Sequence, residues 1–294
     1  MLAFTMLTQR TNTLAVLLLA IGLYPHCAHA QQLSAKDLLM KIAETYGRAS
    51  SFSVVAEKQI DLDTDTSGEE YLSLEKYTHP EAGTHESDNI QVTLMASGSS
   101  KAKLLLIHDN KQILKNDKKE VVVVADGKFV WTLIPAQHAY TELPARSAFI
   151  QNLESDDISG ANLLRYYENL LAARFRSFSP YMPWAKLEHS ETLKVGKDRK
   201  ECYVLTIQKQ GSVQKQKLWV DKTEFTVWKS VDTTVGPEGH PGISLQTTVT
   251  VTTKQMALNP SLDKSDFVFT PPEQAKRVDS LKLSGQNPFA GGPP

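Results

Sequence analysis

The spacing of apolar positions changes twice along the chain. Leu38, Leu39, Ile42 and Tyr46 recur at intervals of three and four, which predicts an amphipathic helix. Ser34 followed by Asp37 gives it a capping-box start, and Gly47 marks its end. From Phe52 the period is two. Phe52, Val54, Ala56, Ile60 and Leu62 alternate with Ser53, Glu57 and Asp61, and Lys58 is the odd member of the apolar set. Asp63 to Gly68 is predicted as a turn, Tyr71 to Thr78 as a return strand, and His79 to Asp88 as an exposed loop containing Pro80 and Gly83. Strand patterns resume at Ile90 to Leu94 and Leu104 to Ile107. Asp109 to Glu120 is highly charged and predicts a loop around a short strand at Ile113-Leu114. Val121 to Val124 is a strand that leads into the hairpin dipeptide Asp126-Gly127. Phe129, Trp131 and Leu133 line one face of the next strand, Pro135 stops it, and Tyr140 to Leu143 forms another.

Helical spacing returns between Ile158 and Phe178, where Leu163, Leu164, Tyr167, Leu170, Leu171, Phe175 and Phe178 fall three or four apart, and Pro180 and Pro183 close the run. Beyond it the alternation predicts hairpins of Leu187–Val195 with Cys202–Lys209 and of Gln216–Val220 with Phe225–Val231. The breaker-rich segment Gly236 to Gly242 is predicted as an exposed loop, and strands follow at Ile243–Val251, Lys254–Leu258 and Phe267–Phe269. Successive parallel strands would need a helix in nearly every connection, and these are absent. The fold class is therefore mainly β (α+β): one strongly curved antiparallel sheet, or unclosed β-barrel, with two helices covering its concave face. A curled sheet under a helix can hold a cavity without any catalytic machinery.

The first thirty residues stand outside that fold. Arg10 precedes the apolar run Leu14 to Ile21, and Ala28-His29-Ala30 is a small-x-small cleavage site. This is the pattern of a secretory signal peptide cut after Ala30, too short for a convincing membrane span. The bulky Tyr24-Pro25-His26 before Cys27 argues against lipidation there. Residues 31–284 then form a single domain, and 285–294, ending Gly291-Gly292-Pro293-Pro294, a disordered tail. The chain carries 32 basic and 33 acidic residues, a balance that forces no basic surface for nucleic acid. Cys202 is left alone after export, so no internal disulfide staples the mature chain, and its alternating strand context makes it a buried apolar residue.

The chemistry-bearing residues assemble no recognisable reaction. There is no Gly-x-Ser-x-Gly elbow, phosphate loop or dinucleotide fingerprint, so no catalytic residues, cofactor or metal are assigned. His79 and His85 with Glu81, Glu86 and Asp88 make the one local cluster of potential ligands, and it is read as a solvated loop. The apolar positions say more. Trp131, Trp219 and Trp228 fall in strands, with core packing as their default role and the lining of an apolar cavity as the alternative. Leu163, Tyr167, Leu171 and Phe175 would pack onto the sheet or close over a ligand held there. With Phe52 and Val54 these are the candidate ligand-binding residues. An acyl chain gains about 0.8 kcal/mol per buried CH₂, so ten methylenes suffice for tight capture before association costs.

Several segments are similar to the LolA-like outer-membrane lipoprotein carrier family. They are Ser51-Phe52-Ser53-Val54, Ala125-Asp126-Gly127-Lys128-Phe129-Val130-Trp131 followed by Pro135, Leu218-Trp219-Val220-Asp221-Lys222-Thr223, and Asp266-Phe267-Val268-Phe269-Thr270-Pro271-Pro272. Their order, after a signal peptide and a helix, matches the family's over most of Leu33 to Val278. The resemblance implies an unclosed barrel with a helical lid that carries acylated lipoprotein, or another lipid, through the periplasm. Its implied partners are an inner-membrane release complex and an outer-membrane receptor. The family's Arg-Pro feature, whose arginine helps hold the lid closed, has no counterpart in Lys103 to Asp109, and Arg146, Arg165 and Arg174 are the candidates to replace it. The residues thus predict non-enzymatic binding or carriage of acyl chains. An envelope regulatory or structural protein that binds a protein partner through the curved sheet is the alternative, and an unrecognised enzyme the third.

Overall fold

The computed structural model describes residues 33–66, 85–109, 118–145, 159–237 and 243–282. Contacts divide the chain into Met1–Ser34 and Ala35–Pro294, and every element below belongs to the second unit. It begins with helix α1 (Ala35–Gly47), which buries Leu38, Leu39, Ile42 and Tyr46. Strands β1 (Ser51–Thr66), β2 (His85–Ser97), β3 (Lys101–Asp109), β4 (Lys118–Asp126), β5 (Phe129–Ile134) and β6 (Ala139–Pro144) follow. Helix α2 (Gly160–Leu171) then precedes β7 (Ala185–Val195), β8 (Asp198–Ile207), β9 (Gln214–Asp221), β10 (Val227–Pro237), β11 (Ile243–Leu258) and the two-residue β12 (Lys276–Arg277).

All twelve strands belong to one sheet in the order β12-β6-β5-β4-β3-β2-β1-β11-β10-β9-β8-β7. Every pairing is antiparallel except β12 with β6. The end strands do not pair, so the curved sheet stays an unclosed barrel. β1 is the seam, with β2 on one side and β11 on the other. Two meanders therefore run outward from it, and the chain must pass from β6 at one end to β7 at the other. α2 lies in that passage, which is why a lone helix interrupts the strand pattern.

Alternation assigns the two faces. On the helix side, Phe52, Val54 and Ala56 of β1, Ile90, Val92 and Leu94 of β2, and Leu104 and Leu106 of β3 are all buried. Each of these side chains larger than alanine contributes about 1.5–3 kcal/mol on leaving water. α2 approaches this face closely. Its Ser159 N-cap accepts a hydrogen bond from the Asn162 N–H, and a Cβ on Gly160 would sit 2.7 Å from Val123 Cγ1 and closer still to Thr132 Oγ1. The hairpin turns follow their dipeptides. Gly127 takes a φ of 98°, and Asp126 Oδ1 accepts from the Lys128 and Phe129 N–H groups.

Five sequence expectations are corrected. β1 runs on through Thr66 where a turn at Asp63 was expected, and β2 starts at His85 inside the expected loop. Fifteen-residue ladder pairing between β1 and β11 carries these polar halves as strand despite their composition. The α-helix stops at Leu171, and Ala173–Arg176 and Ser179–Trp184 are 3-10 turns that let Phe175 and Phe178 reach the core at altered angles. Ile243–Leu258 is one strand, not two. Lys264–Phe267 is a 3-10 turn with a capping box between Asp263 and Asp266, so the expected strand at Phe267–Phe269 does not form. The predicted elements at Tyr71–Thr78 and Ile113-Leu114, His79 and Glu81 of the acidic-histidine cluster, Arg146, the signal peptide and the tail from 285 lie outside the described residues.

Candidate functional site

Six of the nine candidate ligand-binding residues meet between the helices and the sheet. Phe52, Val54, Leu163, Tyr167, Leu171 and Phe175 are all at most 6 % exposed. Phe175 packs on Tyr46 at 5.1 Å between ring centroids and stacks on Phe178. The Tyr46 hydroxyl accepts the Val227 N–H, tying α1 to β10. Burial raises the hydroxyl pKa of both Tyr46 and Tyr167 far above the ordinary phenol range. In this state all six side chains are buried.

The three tryptophans are placed differently. Trp131 alternates away from the helices and stacks on Phe269 at 5.6 Å, beneath the chain after β11. Trp219 also faces the side opposite the helices, in a small cluster with Cys202 and Val204. Its indole Nε1 donates to Glu191 Oε1 at 2.5 Å, and this bond is the main reason the Glu191 pKa is lowered. The ammonium groups of Lys229 and Lys217 lie 4.7 and 5.3 Å from its ring. Burial, reinforced by Asp221, pushes the Cys202 thiol up to about 12, leaving it a protonated core residue. Trp228 is buried at the β10 bulge with Lys200 over its ring at 4.8 Å.

An open groove lies on the helix side, beyond the packed residues. It encloses about 400 Å³ between α2 with its following turns and the far ends of β8–β11. Tyr166, Leu170, Phe178 and Tyr181 form one wall, and Ile207, Thr234, Thr247 and Val249 form the floor. Lys209, Lys215, Arg174 and Asp232 supply charge around it. This is within the size range of small-ligand sites. Most of its lining was missed at the sequence level, because residues of β8 to β11 approach α2 only through the crossover.

Arg174 fastens the helical segment to the groove's floor. Its Nη1 is 2.7 Å from Asp232 Oδ2, and its Nη2 donates to Ser230 Oγ at 2.6 Å. Gln216 Nε2 donates to the other Asp232 oxygen. Of the two candidate lid arginines among the described residues, Arg174 bridges helix segment and sheet, and Arg165 lies on the exposed face of α2. Among the described residues, no group of three or more His, Cys, Asp or Glu could hold a metal, and no helix is long and apolar enough to cross a membrane. Asp88, from the acidic-histidine cluster, sits in β2 and pairs with His108 Nε2 at 3.1 Å.

Residues 175–281 match the family described as "Predicted periplasmic protein (DUF2092)", in agreement with the export pattern of the leader. No curated protein matches the sequence. Similar solved structures include a Vibrio parahaemolyticus domain assigned to outer-membrane lipoprotein sorting, at 12% identity and TM-score 0.27 over 80% of this chain and 95% of that one. A DUF1329 family protein from Desulfovibrio piger aligns with the same figures. The Pseudomonas aeruginosa MucA/MucB complex aligns at 10% identity and TM-score 0.34, over 85% of this chain and 64% of that one. At such TM-scores the alignments carry no argument about this chain's site.

Proposed function

We propose that this is a non-enzymatic periplasmic protein that binds the acyl chain of a lipid or lipoprotein in the groove between α2 and β8–β11. The observation that carries this reading is the groove itself, a 400 Å³ opening with Leu170, Phe178, Ile207 and Val249 in its walls and cationic side chains at its edge. The packed set Phe52, Val54, Leu163, Tyr167, Leu171 and Phe175 is then the closed lid and its seat. A ligand lying in the groove reaches further inward when α2 lifts from these residues, and the Arg174–Asp232 pair is the fastening that must release. Trp131 and Trp219 serve the opposite face and play no part in uptake. The signal-peptide pattern and the family match support the periplasmic location.

Native mass spectrometry of the mature protein purified from periplasm, with lipid extraction of the same sample, tests this. The expected result is a bound acyl-containing species that is lost in a folded Thr234→Trp variant, whose indole fills the groove. A ligand-free protein that also fails to bind fatty acids and acylated peptides overturns it.

A second reading, recognition of an envelope protein partner by strand addition, is favoured by one observation. β7 (Ala185–Val195) ends the sheet with no strand beyond it among the described residues. Recovery of the same protein partner with and without its acyl group would support this reading over the first.

A further inference from the structure

Among the described residues, Lys58 is the one buried lysine, at 0 % exposure. It stands on the helix side of β1, opposite Val251 of β11 and Ile90 of β2, where its neighbours along the strand are Ala56 and Ile60. Its Nζ has no hydrogen-bond acceptor among the described residues. The ring centroids of Tyr166 and Tyr167 lie 4.7 and 5.5 Å away. Asp88 exerts the attractive charge on it, but that carboxylate is engaged by His108. A buried ammonium without an acceptor is costly, and cation–π contact returns only part of what water supplied. Burial lowers its pKa to about 8, so it still carries its proton at neutral pH.

The groove reaches this ammonium with one ring between. Ile60, two residues along β1 on the same face, pairs with Val249, which lines the groove. Tyr166 lines the groove on one side and covers Lys58 on the other. Swinging that half-buried ring aside would open Lys58 Nζ to the groove. The other cations lining the groove are committed or exposed: Arg174 holds Asp232 and Ser230, Lys209 is exposed and lies over Trp184, and Lys215 is exposed.

We propose that Lys58 is the anion-receiving end of the groove, taking the carboxylate or phosphate of a single-chain amphiphile whose hydrocarbon lies along Leu170, Ile207 and Val249. An incoming anion would complete the hydrogen bonding of Nζ in a low-dielectric site, where charge-assisted bonds are strongest. The inference rests on the groove reading of the previous subsection and adds to it the chemistry of the head group.

The test is displacement of a fluorescent acyl probe from the mature wild type and from Lys58→Met by oleate, lysophosphatidic acid and oleyl alcohol. These share one long chain and differ at the head. The expected result is that at least one of the two acids binds the wild type about tenfold or more tighter than the alcohol. Lys58→Met should lose that preference while holding the alcohol as well as before, and whichever acid shows the preference identifies the carboxylate or the phosphate. Equal binding of all three by the wild type, or a preference that survives in Lys58→Met, overturns the head-group proposal and leaves the groove reading standing. Failure of all three to bind overturns both.

Discussion

Replacing Lys58 by methionine keeps an unbranched chain of similar length and removes a buried charge. Its folded pKa is lowered from 10.5 to about 8, a penalty of about 3 kcal/mol on the charged form at about 1.4 kcal/mol per unit. Losing the contact with Tyr166 and Tyr167 takes back about 1 kcal/mol. Lys58→Met should therefore be more stable than wild type by about 2 kcal/mol at pH 7, or roughly 4–8 °C in Tm for a chain of this size. The sign with pH follows from proton binding. Between about pH 8 and 10.5 the unfolded chain holds the Lys58 proton and the folded chain does not, so wild-type stability rises relative to the variant across that window. Tyr46 and Tyr167 also titrate high, but they are present in both proteins and cancel in the difference. Urea unfolding followed by tryptophan fluorescence at pH 7, 8, 9 and 10 measures it. A variant less stable than wild type at pH 7, or a gap that stays flat to pH 10.5, would refute the reasoning.

Three further outcomes are expected. Arg174→Ala leaves Asp232 with Gln216 alone and frees the segment after α2, so it should cost about 1–3 kcal/mol and speed amide exchange in Gly160–Leu171; unchanged exchange there would remove Arg174 as the fastening. Gly160→Ala puts a methyl against Val123 and Thr132 and should destabilise by about 1–3 kcal/mol in thermal unfolding, with a neutral result showing that α2 can shift freely. Trp219→Phe removes the donor that lowers the Glu191 pKa, so its stability deficit should fade as pH falls through the carboxylate range while acyl-probe affinity stays unchanged; loss of binding would place Trp219 in the ligand site after all.

Much of the architecture was legible because burial is one-sided. Alternation in β1 to β5 located the strands, Asp126-Gly127 located a turn, and the same alternation singled out Lys58 before its surroundings were known. The polar halves of β1 and β2 were not legible, since Asp61 to Thr66 and His85 to Asn89 form strand only through cross-strand pairing. The helix end at Leu171 was hidden because Phe175 keeps helical spacing while the backbone tightens into a 3-10 turn. The face of each tryptophan was decided by register: Trp219 and Leu218 are both buried, on opposite sides of one strand. The groove escaped because its walls come from α2 and from strands of the second meander, and no local pattern records which strand a crossover helix will lie beside. Arg174 and Asp232, 58 positions apart, illustrate the same limit.

The seam at β1 has a consequence for how the chain acquires its fold. One edge of β1 is satisfied early, by β2, but the other waits for β11, and the junction is pinned by Ser50 and Asn259, 209 positions apart. Folding that depends on so distant a partner is slow, because a large loop must close before the ladder forms. As the chain emerges from its amino terminus during synthesis, the first meander appears with the far edge of β1 open. That edge is a template for other strands until the last long strand arrives. The sheet can be completed only when nearly the whole chain is available, so its vulnerable interval is set by how soon the carboxy-terminal strands arrive as much as by stability.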